Sequence, residues 1–246
     1  MATQPRPLNI RPRKIISQFR LIHQNVQGLL SKLYHVELLA DLESPEVLCL
    51  SEHFLGAPEM ESFCLKGYCV ASSYCRTSTN RGGVCILVKD HLNIERADVS
   101  GFCIEGICEL AAVKVVNEGR KLLILAVYRP PYNSTDKVDL FINSLNDCLN
   151  NILKPNCNLV VMGDFNIDLS PNKSLQTSAS KLLHVVESFN LYSTITSYTR
   201  EFNGSKSLID NIFTNIDSKM LTSYVLVTTI GDHHGQVCDL EVFVDR

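Results

Sequence analysis

Short apolar runs, each closed by a polar residue, set the pattern of this chain. The clearest is Leu159-Val160-Val161-Met162. Four apolar residues in a row predict a strand buried on both faces. The run ends on Gly163-Asp164-Phe165-Asn166. Asp164 and Asn166 lie two apart, so along an extended chain they point the same way. The same four residues also suit an ordinary turn. Val47-Leu48-Cys49-Leu50 predicts a second buried strand, with Glu52 just past its end. Phe19, Leu21 and Val26 predict a third within residues 15–26, closing on Asn25-Val26-Gln27-Gly28. Between these two, Leu33, Val36 and Ala40 follow helical spacing, so a helix is expected over 31–42. Pro45 stops it.

The middle of the chain changes period. Gly67–Cys75, Gly82–Val88, Cys108–Val116 and Lys121–Tyr128 read as consecutive strands. Asn80-Arg81-Gly82-Gly83 and Asn117-Glu118-Gly119-Arg120 are turn sequences between neighbours, which predicts antiparallel hairpins. Val138, Phe141, Ile142, Leu145, Leu149 and Ile152 mark a long amphipathic helix, with Ser134, Thr135 or Asp136 as its cap. Leu175, Ala179, Leu182, Val186 and Phe189 mark another. Ser207–Thr214, Tyr224–Thr229 and Gln236–Val244 are expected to close the fold as strands. No repeat or mid-chain linker interrupts the pattern. The expected class is α/β, with two mostly antiparallel β-sheets packed face to face and helices outside. Residues 1–16, with Pro5, Arg6, Pro7, Arg11, Pro12, Arg13 and Lys14, are expected to form a flexible basic arm, and 17–246 one domain.

Composition narrows the class. With 246 residues and 45% apolar content the chain can bury a large core. A net charge of −3 does not announce a nucleic-acid binder, although a local basic face can coexist with it. Ten cysteines suggest a disulfide framework until their placement is read. Cys49, Cys85 and Cys238 sit inside apolar runs, where a free thiol behaves as a small hydrophobe. The group Cys64, Cys69 and Cys75 is expected to be buried as well. No C-x-x-C spacing occurs, and the first 20 residues hold no signal-peptide core. Reduced thiols in a nuclear or cytoplasmic protein are the expectation. No apolar stretch approaches the length of a membrane span, so no membrane is expected.

The strand ends carry the chemistry. Together they deliver Asn25, Glu52, Tyr128, Asp164 with Asn166, Asp210, and Asp232 with His233. Carboxylates are hard ligands that suit Mg²⁺, which binds through one or two of them plus substrate phosphate. Phosphodiester cleavage needs a cation, an activated water and donors for the crowded phosphorus centre. A glycine-rich phosphate loop and a nucleophile elbow are both missing, which disfavours a nucleotide kinase and an acyl hydrolase. Arg76, Arg81, Arg129, Arg200 and Lys206 fall in loops and are candidate contacts to phosphate.

Asn25-Val26-Gln27-Gly28, Ser51-Glu52, Val127-Tyr128-Arg129-Pro130-Pro131, Gly163-Asp164-Phe165-Asn166, Leu208-Ile209-Asp210-Asn211-Ile212-Phe213 and Gly231-Asp232-His233 occur in one order. That order resembles the endonuclease/exonuclease/phosphatase superfamily. More narrowly it resembles the apurinic/apyrimidinic-type endonuclease domain of non-LTR retrotransposons, over about residues 17–244. The resemblance implies a four-layered α/β sandwich. It also implies a Mg²⁺-dependent nickase of duplex DNA, with Mn²⁺ as a possible substitute, that leaves a 3′-hydroxyl, as in target-primed retrotransposition. No small-molecule cofactor is implied. By the same resemblance Glu52 is a metal ligand with Asn25 beside it, and Asp232 a second metal-side carboxylate. Asp164 orients or deprotonates the attacking water, and Asn166 helps hold water and phosphate. His233 faces the scissile phosphate and is oriented by Asp210. Tyr128 bonds the phosphate, with Arg129 as a further substrate contact. Relatives acting on inositides or sphingomyelin tend to carry His at the Tyr128 station; the apurinic-type enzymes carry Tyr followed shortly by Pro, as here.

Some positions depart from the family pattern. His53 stands where Thr is common, Gly231 where Ser is common, and His234 follows the Asp-His pair. His53 and His234 are expected to have no role of their own. No Trp is available to contact an abasic sugar, so nicking of ordinary duplex is favoured over abasic repair. Two other readings stay open: a phosphomonoesterase or phospholipid phosphodiesterase of the same superfamily, and a catalytically silent binding module.

Overall fold

The computed structural model of the chain describes residues 16–243 except 80, 118–119, 133 and 174–176. The expected basic arm therefore lies outside the described residues apart from Ile16, as do Asn80, Leu175 and the centre of the Asn117–Arg120 turn. In chain order the elements are β1 (Ile16–Asn25), α1 (Leu29–Glu43), β2 (Val47–Ser51), α2 (Ala57–Ser62), β3 (Tyr68–Tyr74), β4 (Val84–Lys89) and β5 (Asn93–Arg96). Then follow β6 (Glu109–Asn117), β7 (Arg120–Tyr128), α3 (Thr135–Ile152), β8 (Asn158–Asp164), α4 (Thr177–Ser188) and β9 (Tyr192–Ser193). The chain ends with β10 (Arg200–Phe202), β11 (Ser205–Ser207), β12 (Asp210–Thr214), β13 (Leu221–Leu226) and β14 (Gly235–Phe243).

Local chemistry explains the helices. Ser134 caps α3 by accepting from Lys137 N at 3.4 Å, and Asp136 adds a negative charge to the first turn. Its buried residues Val138, Phe141, Ile142, Leu145, Leu149 and Ile152 form the predicted stripe. Burying such a side chain contributes about 1.5–3 kcal/mol. Helix α1 ends at Ser44, whose left-handed conformation lets its N–H bond Ala40 O at 3.0 Å, and Pro45 blocks a further turn.

Each helix α1 and α3 is a crossover between parallel strands, which no tight turn could join. One sheet runs β13-β14-β1-β2-β4-β3 and the other β5-β6-β7-β8-β12-β9. Each contains one parallel pair, β1 with β2 and β7 with β8; the other pairings are antiparallel. Successive residues alternate between layers. Leu21, Cys49 and Ile86 face the second sheet, while Ile22, Leu48, Leu50 and Cys85 pack with Val36 and Leu39 of α1. On the far side, Phe141 and Leu145 of α3 and Leu182 of α4 complete the core. The result is the expected α/β sandwich of two mostly antiparallel sheets with helices outside.

This topology collects strand ends. Asn25 sits opposite Ser51 in the first sheet, and Tyr128 opposite Asp164 in the second. Antiparallel β12 starts at the same end, with Asp210 opposite Asp164.

Several expectations shift. The run Ser207–Thr214 is broken, because Leu208 and Ile209 turn their carbonyls to Leu169 N and Phe165 N. The run Tyr224–Thr229 is displaced to 221–226. Short elements α2, β5, β9, β10 and β11 carry too few residues to show a period. The ten thiols are free, as the reduced reading expects. Cys64 and Cys69 are exposed and Cys75 is half-buried, which corrects the expectation of burial; Cys69 lies in the edge strand β3, which has one neighbour in its sheet, and Cys64 and Cys75 flank that strand. Among the described residues no helix is long and apolar enough to cross a membrane.

Gly163 in β8 has no room for a side chain. A Cβ there would lie 1.9 Å from Val127 O, on backbone that cannot swing aside. Gly163→Ala is expected to lower stability by at least about 1–3 kcal/mol, the usual range for overpacking. Urea denaturation against wild type, with Gly101→Ala as the open-space control, measures it.

Candidate active site

Two asparagines and two carboxylates meet where the sheets' strand ends converge. Asn25, at the end of β1, donates from one Nδ2 to Glu52 Oε1 and to Asp164 Oδ2, both at 2.9 Å. It thereby joins a carboxylate of its own sheet to one across the sandwich. Asp164 is fully buried. It also accepts Asn166 N on Oδ1 at 2.9 Å and Asn166 Nδ2 on Oδ2 at 3.0 Å. The same Asn166 amide reaches Arg129 O at 2.7 Å.

On the other side of Asp164, His233 Nδ1 donates to both oxygens of Asp210, at 3.0 and 3.1 Å. Ligand atoms of Asp164, Asp210 and His233 all lie within 4.8 Å of one another, and all three residues are buried. Asp210 is fixed from behind: Thr199 Oγ1 accepts its N–H at 3.0 Å. The electrostatics follow from packing. Burial, then the Asp210 charge, pushes the Asp164 carboxyl above its ordinary range, with His233 and the Asn25 amide opposing. Burial disfavours a charged His233, but Asp210 and Asp164 outweigh it and raise the imidazole to about 9. Tyr128 is raised too, by burial and then by Glu52 and Asp164, so its hydroxyl stays protonated.

Other expected site residues are placed differently. Arg129 is buried, and its guanidinium is committed to the carbonyls of Phe165, Asn166 and Tyr132. It shapes the Asp164–Asn166 turn from beneath rather than offering itself to a substrate. Asp232 accepts Gln27 Nε2 at 2.8 Å on one oxygen and both Arg200 Nε and Nη2 at 2.7 Å on the other. Arg200 holds its carboxyl below the ordinary range despite partial burial. That arrangement neutralises the expected second metal-side carboxylate. Asn25 offers its nitrogen, not its oxygen, toward Glu52; its Oδ1 accepts Gln27 N at 3.1 Å. Of the other basic candidates, Arg76 pairs with Glu109 and Lys206 with Glu201.

Sequence reasoning missed Glu109. It sits opposite Tyr128 in the β6–β7 ladder and is fully buried. Its oxygens accept Arg76 Nε at 2.6 Å, Gly83 N at 2.6 Å and Gly106 N at 3.1 Å. The Arg76 guanidinium then lies 5.9 Å from the centre of the Tyr128 ring. The signal was a carboxylate inside the apolar run Cys108–Val116, since acidic residues are rarely buried unless paired. Backbone strain also gathers here: Gln27, Glu52, Phe54 and Asn166 are non-glycine residues at φ of 45°, 55°, 60° and 47°. Each such conformation costs on the order of 1–3 kcal/mol and persists where the surroundings enforce it.

The sequence profile of the Endonuclease/Exonuclease/phosphatase family matches residues 22–233. The chain belongs to that family. No curated protein matches the chain. Among solved structures, the endonuclease domain of TRAS1, a telomere-specific non-LTR retrotransposon, is 15% identical with a TM-score of 0.70, covering 93% of this chain and all of that one. An AP endonuclease from Archaeoglobus fulgidus is 17% identical with a TM-score of 0.72, over 91% of this chain and all of that one. The 3′-5′ exonuclease NExo from Neisseria meningitidis is 16% identical with a TM-score of 0.69, over 91% and all of the respective chains. Members of the endonuclease/exonuclease/phosphatase family hydrolyse phosphodiester or phosphomonoester bonds and generally depend on a divalent metal. The residues here fit such an ion. Glu52 and Asp164 are hard oxygen donors brought together by one amide. Asp164 is moreover buried beside the charges of Asp210 and Glu52, an excess that a bound cation would offset.

Two outcomes follow from this geometry. Removing the buried Glu109 carboxylate leaves the half-buried Arg76 guanidinium and the Gly83 and Gly106 N–H groups unpaired, so Glu109→Ala is expected to lose about 3 kcal/mol in chemical denaturation, with Glu95→Ala, an exposed carboxylate, near neutral. The His233 imidazole is raised from 6.5 to about 9, so its stabilising ion pair is complete below pH 6.5 and lost as pH climbs through about 9. Melting temperatures of metal-free protein between pH 6 and 10 should fall more steeply for wild type than for His233→Ala.

Proposed function

We propose that this chain is a divalent-metal-dependent DNA endonuclease that nicks duplex DNA and leaves a 3′-hydroxyl. The observation that carries the proposal is the meeting of residues from both sheets at one point: Asn25 bonds both Glu52 and Asp164, and the hydrogen-bonded Asp210–His233 pair lies with Asp164 inside 4.8 Å. In this reading Asp164, its basicity raised by burial and by Asp210, orients a water and takes its proton. The water oxygen bonds to phosphorus as the bond from phosphorus to the 3′ oxygen breaks. The products are a 5′-phosphate and a 3′-hydroxyl, the latter completed by a proton from solvent. His233, cationic through Asp210, faces the phosphate and stabilises the charge that builds on its oxygens. The protonated Tyr128 hydroxyl donates to the same phosphate. Asn166 holds Asp164 in place and completes the water site. Mg²⁺ or Mn²⁺, held by Glu52 beside the Asn25 amide, would supply Lewis-acid charge neutralisation at the phosphate.

DNA as substrate is supported by Tyr128 with Pro130 and Pro131, the version carried by apurinic-type enzymes rather than by inositide or sphingomyelin hydrolases. A retrotransposon-type role, priming synthesis from the nick, is supported by the same station and by the fold shared with the TRAS1 domain.

Supercoiled plasmid with Mg²⁺ gives a direct assay. Wild type should convert it to the open circle, and Asp164→Ala and His233→Ala should each slow the reaction by about 10²–10⁴-fold, the usual contribution of a positioned proton-transfer group. Equal rates for wild type and both variants would refute the proposal.

A further inference from the structure

Glu52 is held in place by a residue that the family pattern does not supply. The segment Glu52-His53-Phe54 follows β2, and its two outer residues are left-handed at φ of 55° and 60°. Neither is glycine, so this backbone must be enforced from outside. Backbone bonds hold part of it: Glu52 N donates to Gly83 O at 2.8 Å and Phe54 N to Gly82 O at 3.0 Å. On the other side, Gly28 N donates to Glu52 O at 2.8 Å and Leu29 N to His53 O at 3.0 Å.

The centre of the segment is the His53 ring. It is fully buried. Its Nδ1 accepts Leu55 N at 3.0 Å, so Nε2 carries the proton and donates to Tyr74 O at 3.0 Å. The ring thus bridges the segment after β2 to the end of β3. It also rests on Gly83, where a Cβ would stand 2.4 Å from both Cε1 and Nε2. Gly83 is therefore the cradle of this imidazole as well as the acceptor for Glu52 N. A shorter side chain at position 53 would leave Tyr74 O without its donor and a gap over Gly83. The segment would then be free to relax from its left-handed turn, and the Glu52 carboxylate would leave the Asn25 amide.

We infer that His53 is a positioning residue that fixes Glu52, and through it the affinity of the site for its divalent cation. The inference rests on the reading of Glu52 as the cation-holding carboxylate.

The test uses wild type, His53→Ala, His53→Asn and Glu52→Gln. Two readouts are taken: the rise in melting temperature with Mn²⁺, and the Mg²⁺ concentration that half-saturates plasmid nicking. For His53→Ala the Mg²⁺ half-saturation point should rise by about 10–100-fold, the range seen when outer partners of metal ligands are removed. Nicking at saturating Mg²⁺ should recover most of the wild-type rate, and the Mn²⁺ midpoint should shift by a similar factor. His53→Asn can still accept from Leu55 N but cannot reach Tyr74 O, so it should fall between His53→Ala and wild type. A merely structural histidine would lower the metal-free melting temperature and leave both metal midpoints unchanged; that result overturns the inference. If His53→Ala does not fold, wild-type midpoints in His53→Asn overturn it equally. A wild-type protein that ignores Mn²⁺, as Glu52→Gln should, refutes the reading of Glu52 and this inference with it. A metal response that is normal in wild type and in both His53 variants refutes the inference alone.

Discussion

The Asn25 amide nitrogen reaches carboxylates on both sheets, Glu52 on its own and Asp164 on the other. Like charges sharing one donor repel, and burial withdraws Asp164 from the screening of bulk solvent. The amide donor between them and the cationic His233 alongside oppose that repulsion. The rest of the fold serves this meeting. Two parallel pairs, each made by a helical crossover, end level at the same edge of the sandwich, and β12 begins there. Each sheet alone carries half of the cluster.

Holding such a cluster requires rigidity in the loops that bear it. Gln27, Glu52, Phe54 and Asn166 all sit in left-handed backbone, and buried groups enforce it. Arg129 supports the Asp164 turn through carbonyls. Glu109 and Arg76 brace Tyr128. The Gly82-Gly83 pair links these supports: its carbonyls hold the Glu52 segment, and Gly83 N bonds Glu109.

Much of this was legible in the sequence, for a physical reason. A strand buried on both faces writes an unbroken apolar run, and the polar residue that ends it marks where the strand meets solvent or a site. Leu159–Met162 with Asp164 and Val47–Leu50 with Glu52 are read that way, and their convergence follows from the fold. What stayed hidden was partnership across long distances in the chain. Nothing near Arg129 shows that its guanidinium bonds carbonyls more than 30 residues away. Nothing near Asp232 shows Gln27 and Arg200. Glu109 left a trace as a charge in an apolar run, but its partners Arg76 and Gly83 are 33 and 26 residues away. His53 looked like a neighbour of a site residue, because its bonds to Leu55 and Tyr74 depend on a turn that no period encodes.

In the proposed function, carboxylates from two sheets form one cation site at the meeting of the strand ends. Anomalous diffraction from crystals soaked in Mn²⁺ tests it most directly. The expected result is a manganese peak within ligand distance of the Glu52 carboxylate, beside Asn25 and Asp164. A peak elsewhere, or ordered Glu52, Asn25 and Asp164 with no peak at saturating Mn²⁺, would contradict it.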